Sequence, residues 1–256
     1  MRRYQVIGKR RAVWLLMLCG LTAVVLSMGG RNMGRAVLAS ARKEGCPIYS
    51  VAREEKVAAV TVNCAWDKNN IPQLLEILER EDVKATFFLV GQWVEQYPQL
   101  AKEIAAAGHE IGNHSYSHPD FRTKDAGEIE AELRRTDELI RQACGAVPKL
   151  VRVPSGDYTA ETVSTVRQLG YEVIQWDVDS RDWMDPSSEE ITERVMSQLQ
   201  PGSILLFHAG KSNTEEALPR ILSRMKAEGY RFVPVGELIY PGEYTLDIAG
   251  RQHPQR

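Results

Sequence analysis

From residue 57 onward the chain alternates short apolar runs with amphipathic stretches. The apolar runs predict strands at 57–62, 85–90, 110–112, 150–153, 172–176, 203–207 and 231–233. The run Ala85-Thr86-Phe87-Phe88-Leu89-Val90 is too apolar for a half-exposed strand and suits a parallel sheet covered on both faces. Between the runs the period lengthens to that of a helix. Residues 72–80 place Leu74, Leu75 and Leu78 on one face, and residues 93–107 stop at Gly108, a residue suited to a helix end. Further helices are predicted at 126–143, 160–169, 188–199 and 214–228. Seven strand–helix alternations predict an α/β fold of barrel type, whose reacting groups gather at the C-terminal ends of the strands.

The first 56 residues follow another pattern. Arg2, Arg3, Lys9, Arg10 and Arg11 precede a charge-free apolar run over 12–30, long enough to cross a membrane. This predicts a cytoplasmic basic segment (1–11), a signal-anchor helix (12–30) and an outer domain. Ala39-Ser40-Ala41 has the small-residue character of a cleavage site but lies far from the run, so an uncleaved anchor is favoured over a cleaved, secreted form. Residues 31–56 are polar and non-periodic, which reads as a linker to a domain over 57–238 with a tail over 239–256. A chain of 256 residues, 43% hydrophobic and 26% charged, suits one such domain plus its leader. Its net charge of −2 argues against a nucleic-acid partner. Cys19 falls in the membrane run, leaving Cys46, Cys64 and Cys144. Three is an odd number, so one thiol is unpaired within the chain even if Cys46 and Cys144 were joined.

Four groups of chemistry-bearing residues close or follow the apolar runs. His114 and His118 stand four apart after the third run, a spacing that brings two imidazoles onto one cation. Two surface histidines on one turn would look the same. Arg152-Val153-Pro154-Ser155-Gly156 follows the fourth run, and alone it supports only a structural turn. Asp179, Asp182 and Trp183 follow the fifth, while Asp177 reads as a strand-end residue. His208 ends Ile204-Leu205-Leu206-Phe207.

Taken together, Asn113-His114-Ser115-x-x-x-His118, Arg152-x-Pro154-x-Gly156, Asp179-x-x-Asp182-Trp183 and Leu205-Leu206-Phe207-His208 resemble the polysaccharide deacetylase family, the NodB-homology domains of carbohydrate esterase family 4. The resemblance covers about Val57 to Leu238. It implies a distorted seven-stranded (β/α) barrel with a divalent metal, usually zinc, on His114 and His118. Such a metal polarises an acetamide and activates water. Asn113 and Ser115 would steady the imidazoles, or serve as ordinary loop residues. His208 would be the general acid, oriented by an aspartate, for which Asp179 is preferred and Asp182 is the close second. Arg152 would hold the family's catalytic base. Ser155 and Gly156 would bound the oxyanion site through the Ser155 N–H, and Trp183, with Asp182, would line the sugar subsite.

The first motif departs from the pattern. The family reads Thr-Phe-Asp-Asp-Gly; this chain reads Thr61-Val62-Asn63-Cys64-Ala65-Trp66-Asp67. Asn63 stands at the altered base position, where an amide cannot take a proton. Cys64 stands at the third ligand position, either as a thiolate ligand or as a small buried hydrophobe. Asp67 is an alternative carboxylate in the following loop. The Asn-x-Ala-Trp run resembles a divergent, sporulation-associated branch. The implied function is a metal-dependent hydrolase of non-peptide carbon–nitrogen bonds, removing N-acetyl groups from an envelope polymer such as peptidoglycan. The alternative is a catalytically impaired glycan-binding or scaffold protein. Hydrolysis of an ester or another amide would use the same site.

Overall fold

The computed structural model describes residues 45–66 and 70–255. The basic segment, the apolar run, most of the linker and Asp67 lie outside them. Among the described residues no helix is long and apolar enough to cross a membrane.

The strands are β1 (Ser50–Val51), β2 (Val57–Cys64), β3 (Thr86–Leu89), β4 (Glu110–Asn113), β5 (Leu150–Val151), β6 (Glu172–Val173), β7 (Val178–Asp179), β8 (Ile204–His208), β9 (Arg231–Phe232), β10 (Tyr244–Leu246) and β11 (Arg251–Pro254). The helices are α1 (Ile71–Arg80), α2 (Gly91–Gln96), α3 (Pro98–Ala106), α4 (Ala126–Cys144), α5 (Ala160–Gln168), α6 (Ser188–Gln198), α7 (Ser212–Ala227) and α8 (Val235–Leu238). One parallel sheet runs in the order β6-β5-β4-β3-β2-β8-β7, with β9 paired to the start of β2. Its two edges, β6 and β7, are separated by only residues 174–177. The sheet must therefore curl so that this short segment can join its two edges. The predicted strand at 172–176 only begins a bent crossing: Glu172–Val173 pairs β5, residues 174–177 bend, and Val178–Asp179, beyond the predicted strand, pairs β8.

Strand alternation sorts the side chains of β2. Ala58, Val60, Val62 and Cys64 face the layer of helices, in one cluster with Leu74, Leu78, Leu218 and Ile221. Val57 and Ala59 face inward with Phe88, Leu150 and Ile204 and plug the lower interior. Farther up the same face come Thr61 and Asn63, so the interior turns polar towards the C-terminal ends of the strands. The upper interior is where the candidate residues collect.

Two expectations change. The predicted helix at 93–107 is two helices, α2 and α3, broken at Tyr97 (φ −130°, ψ 54°) because Pro98 disfavours a helical residue before it. The linker and tail both enter the fold. β1 pairs β11, which pairs β10, while Ile48 bridges Ile174 in the bent crossing. Ile48, Val51, Tyr244 and Leu246 are buried as a result. Gly202 permits this docking: at φ +84° it receives the Val51 N–H, and a Cβ there would stand 1.8 Å from the Val51 carbonyl oxygen.

Candidate active site

An open cleft of about 630 Å³ lies at the C-terminal ends of the strands, where Asn63, His114, His118, Ser155, Asp179 and His208 meet. Trp66, Trp176 and Trp183 form much of its wall. Trp66 and Trp183 are 67% and 54% exposed, unusual for indoles that contribute nothing outside the fold.

His208 closes β8. Its Nδ1 lies 2.7 Å from Asp182 Oδ1, and its own backbone N–H donates to Asp182 Oδ2 at 2.7 Å. The Thr214 hydroxyl donates to the same Oδ2 at 2.7 Å. Asp182 is fully buried. Burial alone would raise its carboxyl, but the bond and charge of His208, with Thr214, outweigh burial and hold it below the usual range. The orienting aspartate is thus Asp182, not Asp179. The 3-10 turn Asp182–Met184 folds Asp182 under the imidazole, whereas Asp179 accepts the Arg181 N–H and faces the cleft. Thr214 and Asn213, which donates to the Asp182 carbonyl, had no motif to mark them.

His114 Nδ1 lies 2.7 Å from the Arg152 carbonyl. A carbonyl only accepts, so Nδ1 carries the proton and Nε2 keeps the lone pair. The His118 ring stands edge-on, its centroid 5.0 Å away. Burial first, and each other's proximity or that of His208, pushes both imidazoles below the ordinary histidine range, so both are neutral donors to a cation. Asn113 and Ser115 steady the loop rather than the rings. Asn113 ties it to Leu133 and Asp137 of α4, and Ser115 accepts the His118 N–H. Glu132, which the sequence pattern did not mark, takes the N–H groups of Tyr116 and Ser117.

Cys64 does not join the two histidines. β2 runs through it, so alternation holds to the strand's end and turns the thiol into the apolar cluster under the helices. Burial raises the thiol, the opposite of what a ligand thiolate needs. Among the described residues no group of three His, Cys, Asp or Glu side chains is placed to hold a metal ion. Among the described residues the donor set is two imidazoles, one short of a zinc held by three protein ligands, and Asp67 lies outside those residues.

Arg152 is fully buried at the cleft floor. Its Nη1 donates to Thr61 Oγ1 at 2.8 Å and Asn63 Oδ1 at 2.9 Å, and its Nη2 to the Gln175 carbonyl at 3.1 Å. Its Nε has no partner. Phe88 and Trp176 pack on the guanidinium, and burial, partly offset by Asp179, lowers it to about 9. The cation is desolvated and, among the described residues, bonds no carboxylate. Beside it, Ser155 adopts φ +56° in the turn Pro154–Gly156, whose own bonds run from Gly156 to Val153 and from Asp157 to Pro154. Those bonds leave the Ser155 N–H aside. Ser115, His118, Arg181 and Asp185 also take positive φ, so backbone strain collects at this rim.

The family model described as polysaccharide deacetylase matches residues 50–174. YlxY of Bacillus subtilis is 37% identical over 193 residues, covering 75% of this chain and 60% of YlxY. The chain thus spans less than two thirds of that relative. The peptidoglycan-N-acetylmuramic acid deacetylase PdaA of Bacillus subtilis is 31% identical over 197 residues, 75% of each chain. Its solved structure superposes with a TM-score of 0.74 at 30% identity, covering 78% of this chain and 88% of that one. BA3943 of Bacillus anthracis, described as a CE4 family pseudoenzyme, superposes with a TM-score of 0.73 at 38% identity, covering 76% of this chain and 69% of that one. A mutant of BA3943 is described as having restored enzymatic activity. By sequence and fold, this chain belongs to the polysaccharide deacetylase family.

Proposed function

We propose that the cleft takes an N-acetylated amino-sugar polymer of the cell envelope, such as peptidoglycan, and that the chain acts on it as a slow N-deacetylase. The observation that carries this reading is the intact acid pair, Asp182 on His208 at 2.7 Å, on the wall of the cleft. The carboxylate fixes Nδ1–H and stabilises the imidazolium, leaving Nε2 to deliver a proton to the departing amine. The Ser155 N–H supports a developing oxyanion, and the exposed indoles of Trp66 and Trp183 flank the sugar. Asn63 withholds the base, and a missing base costs about 10²–10⁴ in rate.

A second reading, glycan binding without turnover, is favoured by the packing of Cys64, which leaves two imidazoles as the donor set among the described residues. The test is acetate release and oligosaccharide retention by the purified full-length protein on peptidoglycan and chitooligosaccharides. Slow acetate release lost in His208→Ala supports hydrolysis. Retention without acetate supports the second reading, and neither sinks both.

The sequence also supports a place outside the cytoplasm, anchored by residues 12–30, with a role in sporulation implied by the divergent branch. External protease on intact protoplasts should digest the domain and leave a short protected fragment. Digestion only after lysis would reverse that orientation.

A further inference from the structure

Its partner fixes the orientation of the Asn63 amide. A guanidinium has five donors and no acceptor, so the atom 2.9 Å from Arg152 Nη1 must be Oδ1. Its Nδ2 is then directed elsewhere. Asn63 lines the cleft, and among the described residues its Nδ2 meets no acceptor. A position that accepts protons in the family has become a hydrogen-bond donor facing the ligand. Directly behind it lies the Arg152 cation, which no carboxylate among the described residues hydrogen-bonds.

An N-acetylated amino sugar offers this floor a carbonyl oxygen, which accepts. Its deacetylated counterpart offers an ammonium, which has three donors, no acceptor and the wrong charge. His114 Nε2 keeps a lone pair that can accept from either form and so separates neither. Asp179 works the other way, as a carboxylate lining the cleft, but it is only half-buried and its charge is correspondingly screened.

We propose that Asn63 makes the cleft selective for acetylation state: it binds N-acetylhexosamine chains through the acetamide carbonyl and rejects the deacetylated polymer. The inference rests on the reading that the cleft holds an amino-sugar polymer, and it holds whether or not turnover follows. It deepens that reading by making the altered first motif a gain in recognition. Trp66, beside Asn63 in the chain and edge-on to His118 at 5.4 Å, supplies grip common to both forms.

The experiment is calorimetric titration of the full-length protein with fully N-acetylated chitotetraose and with its fully deacetylated counterpart, at one pH and ionic strength. Wild type should bind the acetylated tetramer about tenfold more tightly or better, as one well-placed donor and a like-charge clash would give. Asn63→Asp should abolish that preference by turning the donor into an acceptor and neutralising Arg152. Asp179→Asn should widen it, and Trp66→Ala should weaken both tetramers while keeping their ratio. Equal binding by wild type overturns the selectivity and leaves glycan binding standing. Binding of neither tetramer overturns both. Should Asn63→Asp fail to fold, the wild-type ratio and Asp179→Asn still decide.

Discussion

At the residue scale, the pairing of Arg152 with Asn63 has a measurable consequence for stability. Arg152 is buried with one nitrogen unpartnered and only neutral acceptors around the rest. Asn63→Asp supplies a carboxylate to a waiting cation, and removing such a deficit is worth about 1–3 kcal/mol. The thermal midpoint should rise, and an unchanged or lower midpoint would mean that Arg152 is already adequately solvated. Cys64 gives a second prediction. Because its thiol packs with Leu74 and Leu218, Cys64→Ser should lower the midpoint and leave zinc affinity untouched; a loss of zinc binding would return the thiol to the donor set. The identities of these residues were legible from the motifs. Two roles were not. Asp179 and Asp182 differ in sequence by three positions, and only the 3-10 turn decides which reaches His208. The side to which Cys64 points depends on where β2 stops, and sequence pattern places element ends poorly.

At the element scale, the periodicity located the strands and helices that build the cleft but not their breaks. Tyr97 sits inside an unbroken amphipathic pattern, and only the following proline divides it. The bend between β6 and β7 has no local signature at all, since it arises from closing the sheet. Loops carried less signal still. The loop from Ser115 to His118 is held by α4, where Glu132 accepts three hydrogen bonds from Tyr116 and Ser117. Glu132→Ala should leave α4 intact, by circular dichroism, while increasing amide exchange at Tyr116 and Ser117 by about tenfold. Unchanged exchange there would place the loop's rigidity in Asn113 instead. Gly156 shows the opposite kind of constraint. At φ +73°, with a Cβ position 2.8 Å from Trp176, Gly156→Ala should destabilise the fold and disturb the cleft wall.

At the scale of the whole molecule, the barrel was legible as seven alternations, whereas the small sheet beneath it was not. β1, β10 and β11 are short, come from the two ends of the domain and owe their burial to each other. A pH dependence follows from the interior histidines. His109, buried with Nδ1 accepting the Ala85 N–H, is lowered by burial and by Lys84 to about 4. Its neutral form is favoured in the folded state, so its stabilisation is present above the unfolded value of about 6.5 and is lost as pH falls towards 4. His114 and His118 shift in the same direction. Denaturant midpoints should therefore fall between pH 6.5 and 4, and His109→Gln should flatten part of that slope. A slope unchanged in His109→Gln would assign the loss to other groups.

The central claim is that this cleft keeps an acid pair, a floor cation and exposed indoles suited to a deacetylase, and that its deficit in turnover lies in what two aspartates at 63 and 64 would supply. The direct measurement is acetate released from N-acetylated chitooligosaccharide by Asn63→Asp/Cys64→Asp in the presence of zinc, against wild type at equal concentration. An aspartate at 64 is unfavourable in the apolar cluster, so supplying a ligand to His114 and His118 requires the last residue of β2 to leave the strand and turn towards the cleft. The double variant should release acetate about 10²-fold faster or better, consistent with a restored base. A double variant that folds and binds zinc but releases no more acetate than wild type would contradict the claim.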